Sequence, residues 1–178
     1  MAKPPEEVRE GLLRLIDGMG LPSRLGDALF APGNWHQSLS TRFPDAPGLS
    51  QVLARLASSI QVAPFMMRLD RLGATSGGGG KIHWRFRPAS EPPGLRALVD
   101  AIQTVSQAEI APTAHVTISY RAPGKLSTLR VAPVYWKIDE FLLVRGGGDP
   151  YHYEEIGRWP LAGRSVLPGG QLDLLDHH

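Results

Sequence analysis

One tetrapeptide pattern occurs twice in this chain and constrains its fold more than any other feature: His36-Gln37-Ser38-Leu39 and, far downstream, His115-Val116-Thr117-Ile118. Each reads histidine, any residue, hydroxyl residue, aliphatic. Side chains alternate across an extended chain, so each histidine shares a face with the hydroxyl two positions on, while Leu39 or Ile118 turns to the opposite, buried face. The two segments therefore predict strands, over Trp35 to Phe43 and His115 to Tyr120. A chain carrying the same half-chemical, half-buried strand twice is expected to fold as two related lobes. Gln37 is the one departure: it takes the core-side position that Val116 fills in the second copy, where a polar side chain needs an edge or a backbone partner.

The flanking residues predict an α+β fold. Val8, Leu12, Leu13, Leu15 and Ile16 make an apolar stripe on a helix from Glu7 to Met19, which Gly20 and Pro22 end. Pro44, Pro47 and Gly48 separate the first motif from a helix over Leu49 to Ile60. Strands over Pro64 to Leu72 and Lys81 to Arg87 enclose a glycine tip, Ser76 to Gly80, and Ile82, Trp84 and Phe86 alternate with polar residues on the returning strand. Pro92 and Pro93 open a helix from Gly94 to Gln107. After the second motif come a turn around Pro123 and Gly124 and strands over Tyr135 to Val144 and Tyr153 to Trp159. The 178 residues suit a single bilobal domain, with 1–30 as an N-terminal helix and loop and 171–178, including His177 and His178, as a tail outside the functional argument.

Composition narrows the function classes. With 19 Lys+Arg against 17 Asp+Glu the formal charge is +2, too small for nonspecific duplex binding, so an anionic ligand must be held locally. No cysteine is present, which removes disulfides, thiolate zinc sites and cysteine nucleophiles, and the expected localisation is cytoplasmic. Lys3, Glu6, Glu7, Arg9 and Glu10 interrupt the N-terminal apolar residues, and no later stretch approaches the roughly 20 apolar residues that span a bilayer, so no membrane association is expected. The glycine tip lacks the spacing of a phosphate-binding loop. His83 and His152 have no partner at metal-ligand spacing, so no metal is expected.

The paired motifs resemble those of the two-histidine phosphoesterase superfamily, specifically the bacterial RNA 2',3'-cyclic phosphodiesterases historically called 2',5'-RNA ligases. Asn34-Trp35, Pro64-Phe65, Leu69-Asp70, Leu72-Gly73, Ile138 to Arg145 and the ending Arg158-Trp159-Pro160-Leu161 extend the likeness over most of the chain. The resemblance implies two pseudo-symmetric lobes, each an antiparallel sheet with outer helices, around a central cleft. It implies that His36 and His115 face each other across a phosphate, with Ser38 and Thr117 donating hydrogen bonds to it. The implied reaction is metal-free and cofactor-free hydrolysis of 2',3'-cyclic phosphates on RNA ends or nucleotides to 2'-phosphates by a monomer, with His115 as base, His36 as acid, and reversible 2',5'-ligation. A non-catalytic nucleotide- or RNA-binding module of the same fold, or a phosphodiesterase for ADP-ribose 1'',2''-cyclic phosphate, is the alternative.

Two departures from that pattern bear on substrate choice. Ser38 replaces a commoner Thr, and Tyr120 stands where many relatives carry a phosphate-binding Arg, with Arg121 one residue later. A one-residue shift along a strand reverses the face, so of Tyr120 and Arg121 only one is expected to face the substrate. Arg42, Arg68 and Arg85 are further candidates for the cleft, with solvated strand ends as the alternative. Trp84, Tyr120, Trp136 and Tyr153 are read as core or lobe packing in preference to base stacking.

Overall fold

The computed structural model describes residues 1–108 and 113–163. Its spine is a long strand, β1 (Phe65–Ser76), which pairs antiparallel with β2 (Ile82–Arg87) and with β4 (Leu129–Ile138). The short strand β3 (Val116–Ser119) adds to the free side of β2, giving the order β3-β2-β1-β4. Gly79 and Gly80, at φ 65° and 73°, close the β1–β2 hairpin in a conformation that residues with a Cβ avoid. Met67, Leu69, Leu72, Trp84, Phe86, Val116, Ile118 and Trp136 are buried and share one core with the helices.

Two helices supply most of that core's cover. In α1 (Glu6–Gly18), Val8, Leu12 and Ile16 recur every four residues and are buried, while Glu6 and Glu7 sit in the first turn, where negative charge suits the helix dipole. In α4 (Pro93–Ser106), Leu95, Leu98 and Val99 are the buried residues, and Pro93 takes the first helical position, where its missing N–H costs nothing. Gly94 lets the start of α4 lie directly on β1, since a Cβ there would overlap the Phe65 ring. Between them fall the short helix α2 (Leu21–Leu25) and α3 (Leu49–Ala57).

The second sheet pairs β5 (Glu140–Gly147) with β6 (His152–Pro160). Backbone hydrogen bonds widen it. Leu142 and Met1 exchange two N–H to C=O bonds of 2.8 Å, and Ala2 and Gln37 exchange two of 2.9 Å. The extended segments therefore run β6, β5, residues 1–2, then the first motif. Each lobe thus has four extended segments with a histidine motif on its outermost one, β3 in the first lobe and the stretch around Gln37 in the second.

Two expected elements differ. The strand predicted over Trp35 to Phe43 is an extended stretch with a single bridge, Ala2 to Gln37. Its partner segment meets Pro4 and Pro5 at once, and without N–H groups these cannot continue a ladder. The strand predicted over Tyr135 to Val144 is two strands in different sheets, with Asp139 handing the chain from β4 to β5 and accepting a 2.7 Å bond from Leu161 N–H. The tail over 171–178 lies outside the described residues.

Candidate active site

The first motif alternates as its sequence requires. Trp35 is fully buried and its Nε1 donates to the Phe30 carbonyl at 2.7 Å, and Leu39 is buried as well. His36 and Ser38 turn the other way and line a cavity of about 440 Å³ that Tyr120, Tyr153 and Arg42 also border. Leu53, Leu56, Phe141 and Trp159 are among its apolar lining residues. In the second motif Val116 and Ile118 are buried in the core, leaving His115 and Thr117 on the opposite face of the edge strand. These two do not line the cavity; Tyr120, directly after their strand, does.

Gln37 makes the two motifs neighbours. Its side chain is completely buried; Oε1 accepts from the His115 backbone N–H at 2.6 Å, and Nε2 donates to the carbonyls of Thr113 at 3.1 Å and Ser38 at 2.7 Å. The polar residue on the core side of the first motif is therefore the bridge that joins the two sheet edges. Its buried polar position was the sequence signal; that the partner would be the other motif was not readable.

Both imidazoles are held alike. His36 Nδ1 lies 2.8 Å from the Asn34 carbonyl, and His115 Nδ1 lies 2.8 Å from the Thr113 carbonyl, two residues upstream in each case. A carbonyl only accepts, so each Nδ1 carries the proton and each Nε2 is left to exchange one. The Tyr153 ring packs edge-on against His36 with centroids 5.2 Å apart. Burial lowers the pKa of His36, and the charges of the N-terminal amine, Lys3 and Arg42 act in the same direction. Burial, then the Arg85 charge, then His36 and His83 hold His115 down at about 4.

The hydroxyls differ. Ser38 is half-buried at the cavity wall, whereas Thr117 is 3% exposed and its Oγ1 has no hydrogen-bond partner among the described residues. Tyr120 packs edge-on between Phe30 and His83, with both centroid distances 5.2 Å, and reaches the cavity wall. Arg121 is exposed and borders a separate hollow with Asp27 and Phe30. Of the other arginines, Arg42 lines the cavity, and Arg68 is exposed and paired with Asp70 at 3.3 Å. Arg85 is the register partner of Thr117, on the same face. His83, read from sequence as a surface or hairpin residue, accepts from Arg85 Nη2 through Nδ1 at 2.7 Å on that face. Trp84 and Trp136 are core residues. Among the described residues no three His, Asp or Glu side chains are grouped as metal ligands.

Two antiparallel lobes, each with a histidine motif at the edge that meets the other, define a bilobal α+β class. Solved structures of that class match this chain. E. coli LigT in apo form superposes with a TM-score of 0.74 at 19% identity, covering 90% of this chain and 94% of that one. E. coli LigT complexed with 3'-AMP gives 0.70 at 20% identity, covering 90% and 95%. The Thermus thermophilus protein TT0787 gives 0.63 at 18% identity, covering 92% and 97%. No family model matches the chain, and no curated protein matches it significantly. The chain therefore has the LigT fold.

Proposed function

We propose that this chain is a two-histidine phosphoesterase: a cofactor-free, monomeric, cytoplasmic enzyme of one bilobal domain. On this reading it hydrolyses 2',3'-cyclic phosphates on RNA ends or nucleotides to 2'-phosphates and can run the reverse 2',5'-ligation. The observation that carries the reading is the matched anchoring of His36 and His115, each with Nδ1 tied to the carbonyl two residues upstream and Nε2 free. The LigT fold supports it, as do the complexes of E. coli LigT with 3'-AMP and with phosphate.

Ring opening needs a base for water and an acid for the departing ribose oxygen on opposite sides of phosphorus. His115, with the pKa of about 4, is neutral near pH 7 and suits the base. Its Nε2 takes a proton from the attacking water as the new P–O bond forms. The bond from phosphorus to the 3'-oxygen breaks, and Nε2–H of protonated His36 delivers the proton to that oxygen. The product is a 2'-phosphate with a free 3'-hydroxyl; His115 ends protonated and His36 neutral, and solvent exchange resets both. Ser38 Oγ and Thr117 Oγ1 donate to the nonbridging oxygens, where charge builds in the transition state.

Incubation with nucleoside 2',3'-cyclic phosphates in chelator, with the product read by phosphorus NMR, tests this. Hydrolysis to the 2'-phosphate is expected, and His36→Ala or His115→Ala should each slow it by on the order of a hundredfold or more with the fold intact. Ligand binding without turnover would replace the enzyme by a binding module. Turnover of the ADP-ribose 1'',2''-cyclic phosphate alone would replace the substrate class.

A further inference from the structure

The face of the four-stranded sheet that carries Thr117 holds more positive charge than the proposed reaction uses. Arg85 sits between Thr117 on β3 and Gly73 on β1 in the strand register, and Arg87, two residues on, shares its face. Both guanidinium groups are part-buried, and among the described residues neither meets a carboxylate within ion-pair distance. Arg71, the register partner of Arg87, is by contrast neutralised by Asp70 at 3.3 Å. Two part-buried cations packed side by side without an anion are costly, and Arg87 is one of the charges that, after burial, lower the pKa of Arg85.

The same face collects unmet hydrogen-bond donors. Of the buried side-chain atoms without a partner among the described residues, four are Thr75 Oγ1, Arg85 Nε, Arg87 Nε and Thr117 Oγ1. In the register Thr75 pairs with His83, and Gly73 pairs with Arg85, so the four belong to adjoining positions on three neighbouring strands. Gly73 lets Thr128 pack directly onto β1, since a Cβ there would come within 2.8 Å of the Thr128 Oγ1, which accepts from Arg87 Nη2 at 3.2 Å. Buried donors are ordinarily satisfied, and a cluster without protein partners around two cations that no carboxylate neutralises is the form of an anion site.

We infer that Arg85 and Arg87, beside Thr75 and Thr117, form a second phosphate subsite that takes the backbone phosphate on the 5' side of the reacting nucleotide. The inference rests on the phosphoesterase reading for the identity of the first phosphate, and it makes an RNA end, which carries that second phosphate, the better substrate than a nucleoside cyclic phosphate. Arg121, exposed at its own hollow, takes no part.

Calorimetric titration of the full chain with a nucleoside 3'-phosphate and with the 3',5'-bisphosphate of the same nucleoside tests the subsite without any turnover. These ligands differ by one phosphate and by no base. The wild type is expected to bind the bisphosphate about tenfold more tightly, as one charge-assisted contact gives. Arg87→Met and Arg85→Met should each bring the ratio toward one, while Arg121→Met keeps it, with unfolding temperatures confirming that all variants fold. A wild-type ratio near one, or a ratio that survives both arginine changes, overturns the inference. If the ratio behaves as expected and no cyclic phosphate is hydrolysed, the subsite stands and the proposed reaction falls.

Discussion

Replacing Gln37 by Met isolates the bridge between the lobes. Methionine is unbranched and of similar length, so it fills the space without a large cavity and removes only the polar contacts. The His115 N–H would then be buried without its 2.6 Å acceptor, and the carbonyls of Ser38 and Thr113 would each lose a donor. Thr113 keeps the His115 ring as a donor, so its carbonyl is not orphaned. One stranded N–H costs about 1–3 kcal/mol and each lost net hydrogen bond about 1 kcal/mol, for a total of roughly 3–5 kcal/mol. In a domain of this size each kcal/mol moves the unfolding midpoint by about 2–4 °C, so a fall of roughly 6–20 °C is expected by circular dichroism. Turnover of a cyclic phosphate at a temperature where the variant is folded should fall through kcat more than KM, since His115 loses its backbone anchor. A Met variant within about 2 °C of the wild type, with undiminished kcat, would refute the role of the bridge.

The remaining expectations concern protonation and the flanking residues. The kcat/KM profile should rise as pH increases through His115's value of about 4 and fall again as His36 loses its proton below 6.5, which places the optimum on the acid side of neutrality; a flat profile from pH 5 to 9 would contradict it. Because folding lowers the pKa of His115, the unfolded chain binds more protons between about 4 and 6.5, so His115 leaves stability intact above 6.5 and erodes it as pH falls; His115→Gln should flatten that part of the melting-temperature curve. Thr117→Val removes a buried hydroxyl that has no protein partner among the described residues, so thermal stability should hold within about 1 kcal/mol while phosphate affinity drops in the same preparation. Arg121→Ala should change kcat/KM less than about twofold, measured on a cyclic-ended oligonucleotide, as a rim charge outside the site does.

Residues that obey a period were readable. The four-residue recurrence in α1 and α4 and the alternation of Ile82, Trp84 and Phe86 match the structure to within a residue or two at most ends. Alternation also assigned the faces of both motifs, with Leu39, Val116 and Ile118 inward. What has no side-chain signature was not readable. Residues 1–2 join the second sheet purely through backbone groups, and Asp139 divides two strands without a glycine or proline to mark the change of sheet. Arg85 read equally well as a solvated strand end and Arg87 gave no signal, because only the register of three strands brings Gly73, Thr75 and Thr117 beside them. Gln37 was conspicuous as a polar residue on a core face, yet its partners lie in the other lobe.

Nitrogen-detected NMR of the histidine rings during titration with inorganic phosphate tests most directly whether two imidazoles serve one phosphorus. His36 and His115 should both shift at Nε2, with a single shared Kd and with Nδ1 protonated throughout. Shifts confined to one ring, or two rings responding with separate constants, would contradict the account.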